Sequence, residues 1–204
     1  MIDIKQIADD IYNKEKPKTP RDFIANFKKH QQAIESVDYN SAEDTYDTYS
    51  QLIGDYGIAL AETQSYKKAI PVLDKALDLL IKNKRFAPDT LPNLAFYETL
   101  LFKRGQSYYN LDKFELAKPD FELLIKLYPD NSIYPKWVNA IKNGNLIRLR
   151  NILWYCVAGA VIIENFFNNR TLMKYLILGF GVLSLISVVV LEIVFYFKKR
   201  KYGA

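Results

Sequence analysis

From Tyr175 to Phe197 the chain runs for 23 residues with a single charge, Glu192. At ~1.5 Å rise per residue, a helix of that length crosses a ~30 Å hydrocarbon core with some tilt. This stretch therefore predicts a transmembrane helix. A shorter apolar run, Ile152 to Phe167, precedes it and carries Glu164 and Asn165 near its far end. It is at the short end for a span, but the flanking charges argue for one. If both runs cross, Lys142, Arg148, Arg150 and the tail Lys198-Lys199-Arg200-Lys201 lie on one side, against Arg170 and Lys174 in the connecting loop. Seven basic residues against two place both flanks in the cytoplasm. The first residues, Met1 to Gln6, have no apolar run behind a basic start and do not read as a secretory signal. The expectation is an integral membrane protein with cytoplasmic N- and C-termini and a transmembrane hairpin at about 151–167 and 175–197, within residues 147–204. Frequent Lys, Asn, Ile and Tyr point to a bacterial inner membrane.

The net charge of +5 looks basic, yet residues 1–150 hold 22 Lys+Arg and 21 Asp+Glu. The basicity belongs to the membrane flanks, whereas a nucleic-acid-binding domain gathers positive charge on its folded part. No nucleic acid is expected as a partner. Cys156, the one cysteine, lies inside the first span, and His30 is the one histidine. A Cys/His zinc site or a disulfide framework within one chain is thereby excluded. No nucleophile with its base, no metal ligand set and no phosphate loop is present, so no catalytic residues, metal or cofactor are expected and the chain does not read as an enzyme.

Ahead of the hairpin the pattern is helical throughout. Ile4, Ile7, Ala8 and Ile11 recur at helical spacing, and Lys14 to Pro20 then breaks the run as a linker, giving an N-terminal segment 1–19. Thr19 before Pro20 predicts an N-cap for a helix ending near Asp38, with Phe23, Ile24, Phe27, Ala33, Ile34 and Val37 on its apolar face. Ser41 with Asp44 predicts a second cap, followed by a buried stripe of Tyr46, Tyr49, Ile53, Tyr56 and Leu60. Tyr134 to Lys142 reads as a capping helix with Trp137 and Ile141 inward, and Asn143-Gly144-Asn145 leaves open whether it continues into the first span.

A repeat lies within this region. In Glu98 to Asn131, Gly105, Tyr108, Ala117, Phe121 and Pro129 sit where two antiparallel helices need a small crossing residue, a filler, a second small residue, a second filler and a stop. An earlier copy, Ser50 to about Lys82, sets Gly57, Leu60, Ala69, Leu73 and Ala76 at the same mutual spacings, 48 residues upstream instead of the 34 of the unit itself. These positions resemble the tetratricopeptide-repeat family, with Arg104 and Leu124 departing from its pattern. The resemblance implies an all-α, helical-repeat domain over 20–146, with repeats at about 50–82 and 98–131, followed by the two transmembrane helices.

In that family the concave groove is lined by the first helix of each repeat and holds peptides. Carried over, this implies a groove of Gln51, Asp55 and Glu62 from the first copy and Thr99, Lys103, Gln106 and Asn110 from the second. The residues are mixed in sign, and Asp55 and Glu62 would repel a partner's C-terminal carboxylate. Between Lys29 and Lys67 there are seven acids and no Lys or Arg, a charge that would steer a basic partner or keep the domain off an anionic membrane surface. In the spans, Glu164 and Glu192 lie close enough to opposite interfaces to reach the headgroups, where the cost of a charge falls; the alternative is that Glu192 lines a pore or contacts another subunit. The small residues Ala158, Gly159, Ala160, Gly179, Gly181, Ser184 and Ser187 offer close packing within the hairpin or between copies of it. The implied function is a membrane-anchored adaptor that binds a protein or peptide partner at the cytoplasmic face and contacts membrane lipids. The alternative is an oligomeric, membrane-permeabilising channel whose repeat domain is a sensor.

Overall fold

The computed structural model describes residues 3–12, 19–83, 85–87, 89–166 and 172–202, with side chains for all of these except 164–166, 172–174 and 195–202. Most of the expected linker, Pro88 and Arg170 lie outside the described residues, as do the side chains of Glu164, Lys174 and the basic tail. The fold is all-α. Among the described residues there are eight α-helices and one 3-10 turn, without a strand: α1 Ile4–Tyr12, α2 Pro20–Glu35, α3 Glu43–Glu62, α4 Tyr66–Lys82, the 3-10 turn Leu91–Asn93, α5 Ala95–Asn110, α6 Phe114–Leu127, α7 Ile133–Phe166 and α8 Leu172–Tyr202. The chain separates into two compact units, Met1–Ile141 and Lys142–Ala204. Helix α7 is unbroken across Asn143-Gly144-Asn145.

Local chemistry starts the first unit's helices. In α1, Ile4, Ile7, Ala8 and Ile11 are all buried, one apolar stripe at i, i+3, i+4 and i+7. At α2, Thr19 Oγ1 accepts the Asp22 N–H while the Asp22 carboxylate accepts the Thr19 N–H, a closed capping box with Pro20 in the first turn. The helix ends at Glu35 rather than Asp38, because the Ser36 hydroxyl donates to the Ala33 carbonyl in a turn that leaves the helix. The cap expected from Ser41 and Asp44 does not form. Ser41 Oγ donates to the Asp38 carbonyl, and Ala42 occupies the N-cap of α3 with no side-chain bond. The turn has consumed the serine that the helix would have used.

Helices then pack in succession: α1 and α2 on α3, α3 on α4, α4 on α5, α5 on α6, and α3 directly beside α5. This is stacking by neighbouring helix pairs. The two copies close in the same way. A Cβ at Gly57 would stand 2.8 Å from the side chain of Leu73, and one at Gly105 would stand 3.1 Å from the ring of Phe121, so only a bare backbone admits these fillers. Ala69 and Ala117, like Leu73 and Phe121, are fully buried. Each pair also turns on the same motif. After α3, Ser65 N–H bonds Leu60 O and Gln64 N–H bonds Ala61 O; after α5, Lys113 bonds Tyr108 and Asp112 bonds Tyr109 in the same pattern. These are Schellman turns, and their left-handed residues are Gln64 (φ 61°) and Asp112 (φ 56°). Neither is glycine. Gln64→Gly and Asp112→Gly are each expected to stabilise the unit by about 0.5–1 kcal/mol by removing that strain, read as a raised denaturation midpoint of the full chain in detergent. Lower midpoints in both variants would refute the assignment.

The first helical turns of α7 close the last pair. Trp137 stacks on Phe121 (centroids 5.2 Å, 4° between planes) and meets Tyr109 edge-on at 5.0 Å, while Ile141 and Tyr134 are buried.

In the second unit the later part of α7 and α8 run antiparallel. Arg150 faces Glu192, and Ala160 faces Gly181, whose added Cβ would meet the Ala160 Cβ at 3.0 Å. Ser184 and Val188 are buried between the helices, whereas Tyr155, Leu176, Phe180 and Leu183 stand exposed. Among the described residues two helices are long and apolar enough to cross a membrane, α7 within Ile133–Ile163 and α8 over Tyr175–Val194. Gly159 and Gly179 face open space, so the small-residue seam within the hairpin is narrower than the sequence suggests.

Candidate partner groove

Helices α3 and α5, side by side, carry all seven of the polar residues that the repeat pattern assigns to a groove. Their surroundings differ. Gln51 on α3 and Asn110 on α5 are exposed, and Thr99 and Gln106 are half-buried. Thr99 Oγ1 bonds the Ala95 carbonyl and Asn110 Nδ2 the Gln106 carbonyl, both within α5. These local bonds hold the side chains along the helix surface.

Lys103 and Glu62 come together across the two helices, with Nζ to Oε1 at 2.9 Å. The sequence pattern makes Glu62 a repeller of a partner's carboxylate. The structure makes Glu62 and Lys103 one ion pair, with Lys103 the better shielded of the two. Asp55 is not on the open face at all. It is half-buried beneath α1, where the Tyr12 hydroxyl donates to its carboxylate at 2.5 Å. Burial raises the Asp55 pKa, and the hydrogen bond from Tyr12 opposes that rise. Burial likewise pushes the Tyr12 hydroxyl well up, aided by the nearby Asp55 charge. Of the seven residues, Gln51, Glu62 and Asn110 are the exposed ones, on α3 and α5.

The run of seven acids also changes meaning in three dimensions. Lys5 reaches Asp44 at 3.1 Å, Arg85 pairs with Glu43, Asp44 and Asp47, and Lys103 takes Glu62. Cations from α1, from the loop after α4 and from α5 thus meet four of the acids, while Asp55 accepts from Tyr12. Three cations therefore offset part of the segment's negative charge.

A charged cluster that the sequence did not reveal joins α4, α5 and α6. Arg104 donates through Nε and Nη2 to the two oxygens of Asp120, at 2.9 and 2.5 Å, and through Nη1 to Asp74 at 2.9 Å. Asp120 is only 4% exposed. Burial raises its pKa, and the Arg104 guanidinium partly offsets that. The fork ties α4, α5 and α6 at one point. The only sequence signal was that arginine stands where the repeat pattern has an apolar residue.

A concavity of about 520 Å³ lies where the α2–α3 turn meets the start of α3 and the end of α4, walled by Tyr39, Tyr46, Leu79, Lys82 and Arg85. Its polar groups satisfy one another: Tyr46 donates to the Leu79 carbonyl, Asn83 to Asp47, and Lys82 to Asp78. Tyr39 stacks on Tyr49 and meets Tyr46 edge-on. The hollow is a packed aromatic corner rather than a set of convergent free groups.

No curated protein and no solved structure matches the chain. A family model does match part of it: residues 99–131 fit the tetratricopeptide repeat. That segment takes in α5 from Thr99, the Schellman turn at Asp112, all of α6 and the Pro129 stop. Residues 99–131 are thus similar to a tetratricopeptide repeat in sequence and are folded as a helix pair with Gly105 and Ala117 at its crossing.

Proposed function

We propose that this chain is a membrane-anchored adaptor, in which α3 and α5 present a groove to a protein or peptide partner and the C-terminal hairpin holds that complex at the cytoplasmic face of a bacterial inner membrane. The observation that carries the reading is the pairing of α3 with α5 so that Gln51, the Glu62–Lys103 pair, Gln106 and Asn110 line adjacent helices above a closed apolar core. A polar, mixed-sign face of this kind suits an extended or helical peptide held by side-chain and backbone hydrogen bonds. The cytoplasmic placement rests on the excess of Lys and Arg at the hairpin's flanks.

The Arg150–Glu192 contact at 3.2 Å favours an anchor over the channel alternative. A carboxylate paired inside its own hairpin needs no water-filled pore to solvate it.

A photo-reactive residue placed at Gln106 or Asn110 of the full chain in native membranes is expected to crosslink one and the same protein. The same probe at Glu122, exposed on α6, is expected to miss it. If all three positions recover the same set, or the two groove positions recover nothing, α3 and α5 do not form the binding face.

A further inference from the structure

Near their basic ends α7 and α8 do not close on each other. They touch at Ala160 and Gly181, but toward Arg150 and Glu192 a cleft of about 390 Å³ opens between them, lined by Leu149, Leu153, Ile186, Ser187, Val190 and Leu191. Ser187 does not make it polar, since its hydroxyl is already donated to the Leu183 carbonyl of its own helix. The cleft therefore presents almost only carbon.

What fills the cleft is indicated by the charge at its mouth. Arg148 and Arg150 flank Leu149 directly and Lys142 lies two helical turns earlier, with Glu192 as the one acid beside them. Arg150 meets Glu192 through Nη1, and both side chains keep part of their surface exposed. An apolar slot whose open end carries this excess of cations matches a molecule with a hydrocarbon tail and a negative head. We propose that the cleft holds one acyl chain of an anionic phospholipid, with its negative head at the Arg150 end of the cleft. This inference rests on the reading of α7 and α8 as a membrane hairpin.

Trp154 is a built-in reporter. It follows Leu153, lies one helical turn beyond Arg150 and is exposed. Trp137, the other tryptophan, is packed in the first unit against Phe121. The full chain would be reconstituted into phosphatidylcholine vesicles holding a fixed small fraction of acyl-brominated lipid, either phosphatidylglycerol or phosphatidylcholine, and tryptophan quenching compared. The expected result is saturable quenching that favours phosphatidylglycerol. That preference should fall roughly fivefold for each of Arg148→Gln and Arg150→Gln, the fold-change of about 1 kcal/mol for one cation near an anionic headgroup. Val190→Phe, which fills the slot, should reduce quenching by brominated phosphatidylglycerol while leaving quenching by brominated phosphatidylcholine unchanged. Equal quenching by the two lipids, unaffected by Val190→Phe, would overturn the lipid site yet leave membrane insertion standing. No quenching by either lipid would mean that the hairpin does not insert, and the membrane reading itself would fall. Weak quenching by both that grows as the chain is diluted in lipid would put a second copy of the hairpin in the cleft.

Discussion

Arg104→Ala is expected to destabilise the first unit by about 3–5 kcal/mol, the cost of leaving a buried carboxylate without its cation. Asp120 is 4% exposed and receives two of its hydrogen bonds from Arg104. Once the guanidinium is gone, the carboxylate must either stay charged in an apolar site or take up a proton. That choice gives the variant a pH signature. With Arg104 present the Asp120 pKa is already raised, burial outweighing the arginine; without Arg104 it rises further. A carboxyl group whose folded-state pKa lies above its unfolded value of about 3.9 binds protons more tightly when folded. Its ionisation therefore costs no stability below the unfolded value, and the cost grows as pH climbs through the folded one. The difference between Arg104→Ala and the native chain should then be largest at pH 7 and shrink toward pH 4, as measured by chemical denaturation of the full chain in detergent with near-ultraviolet circular dichroism. A difference that does not change with pH would mean that Asp120 is not the group left unpaired. Arg104→Leu combined with Asp120→Leu should regain most of the loss, because apolar residues of similar volume commonly replace a buried ion pair at little cost. Asp74, the third member, is nearly half-exposed and stays solvated in that variant.

The fold was legible where the sequence repeats a physical need at a fixed spacing. Gly57 and Gly105, Ala69 and Ala117, and Leu73 and Phe121 are each 48 residues apart, and each serves the same crossing in its helix pair. Two further matches at that spacing went unread. Pro71 and Pro119 stand at the sixth residue of α4 and of α6, each deleting one helix hydrogen bond on an exposed side. Gln64 and Asp112 share the left-handed position, but their residue types do not advertise it as glycine would. The groove was less legible because its character depends on pairs distant in sequence. Lys103 with Glu62 and Tyr12 with Asp55 are separated by 41 and 43 positions, and no local pattern signals which charges will meet. α1 illustrates the same limit. Its apolar stripe marks a helix, but nothing in nine residues says that the helix covers Asp55.

Phe121→Ala should cost about as much as losing Arg104, roughly 3–5 kcal/mol, for a different reason. The ring is fully buried, stacks on Trp137, meets Phe102 edge-on and lies against the bare backbone of Gly105. Removing it takes apolar surface out of the core and leaves a hole that those rigid neighbours fill only in part. Trp137 would lose its stacking partner, so the loss of stability should come with a red shift of tryptophan emission and a weaker near-ultraviolet signal. The glycine provides the sharper test. Gly105→Ala alone forces a Cβ to 3.1 Å from the ring and should cost about 1–3 kcal/mol by overpacking. With the ring gone that contact disappears, leaving the Asp120 Cβ at 3.2 Å, and the added methyl occupies part of the hole. The double variant Gly105→Ala with Phe121→Ala should therefore be more stable than the two separate losses predict, by more than the few tenths of a kcal/mol expected between independent sites. Gly57→Ala, whose Cβ meets Leu73 in the other copy, should add to Phe121→Ala without such relief. Strict additivity at both glycines would show that Gly105 is not small on account of Phe121.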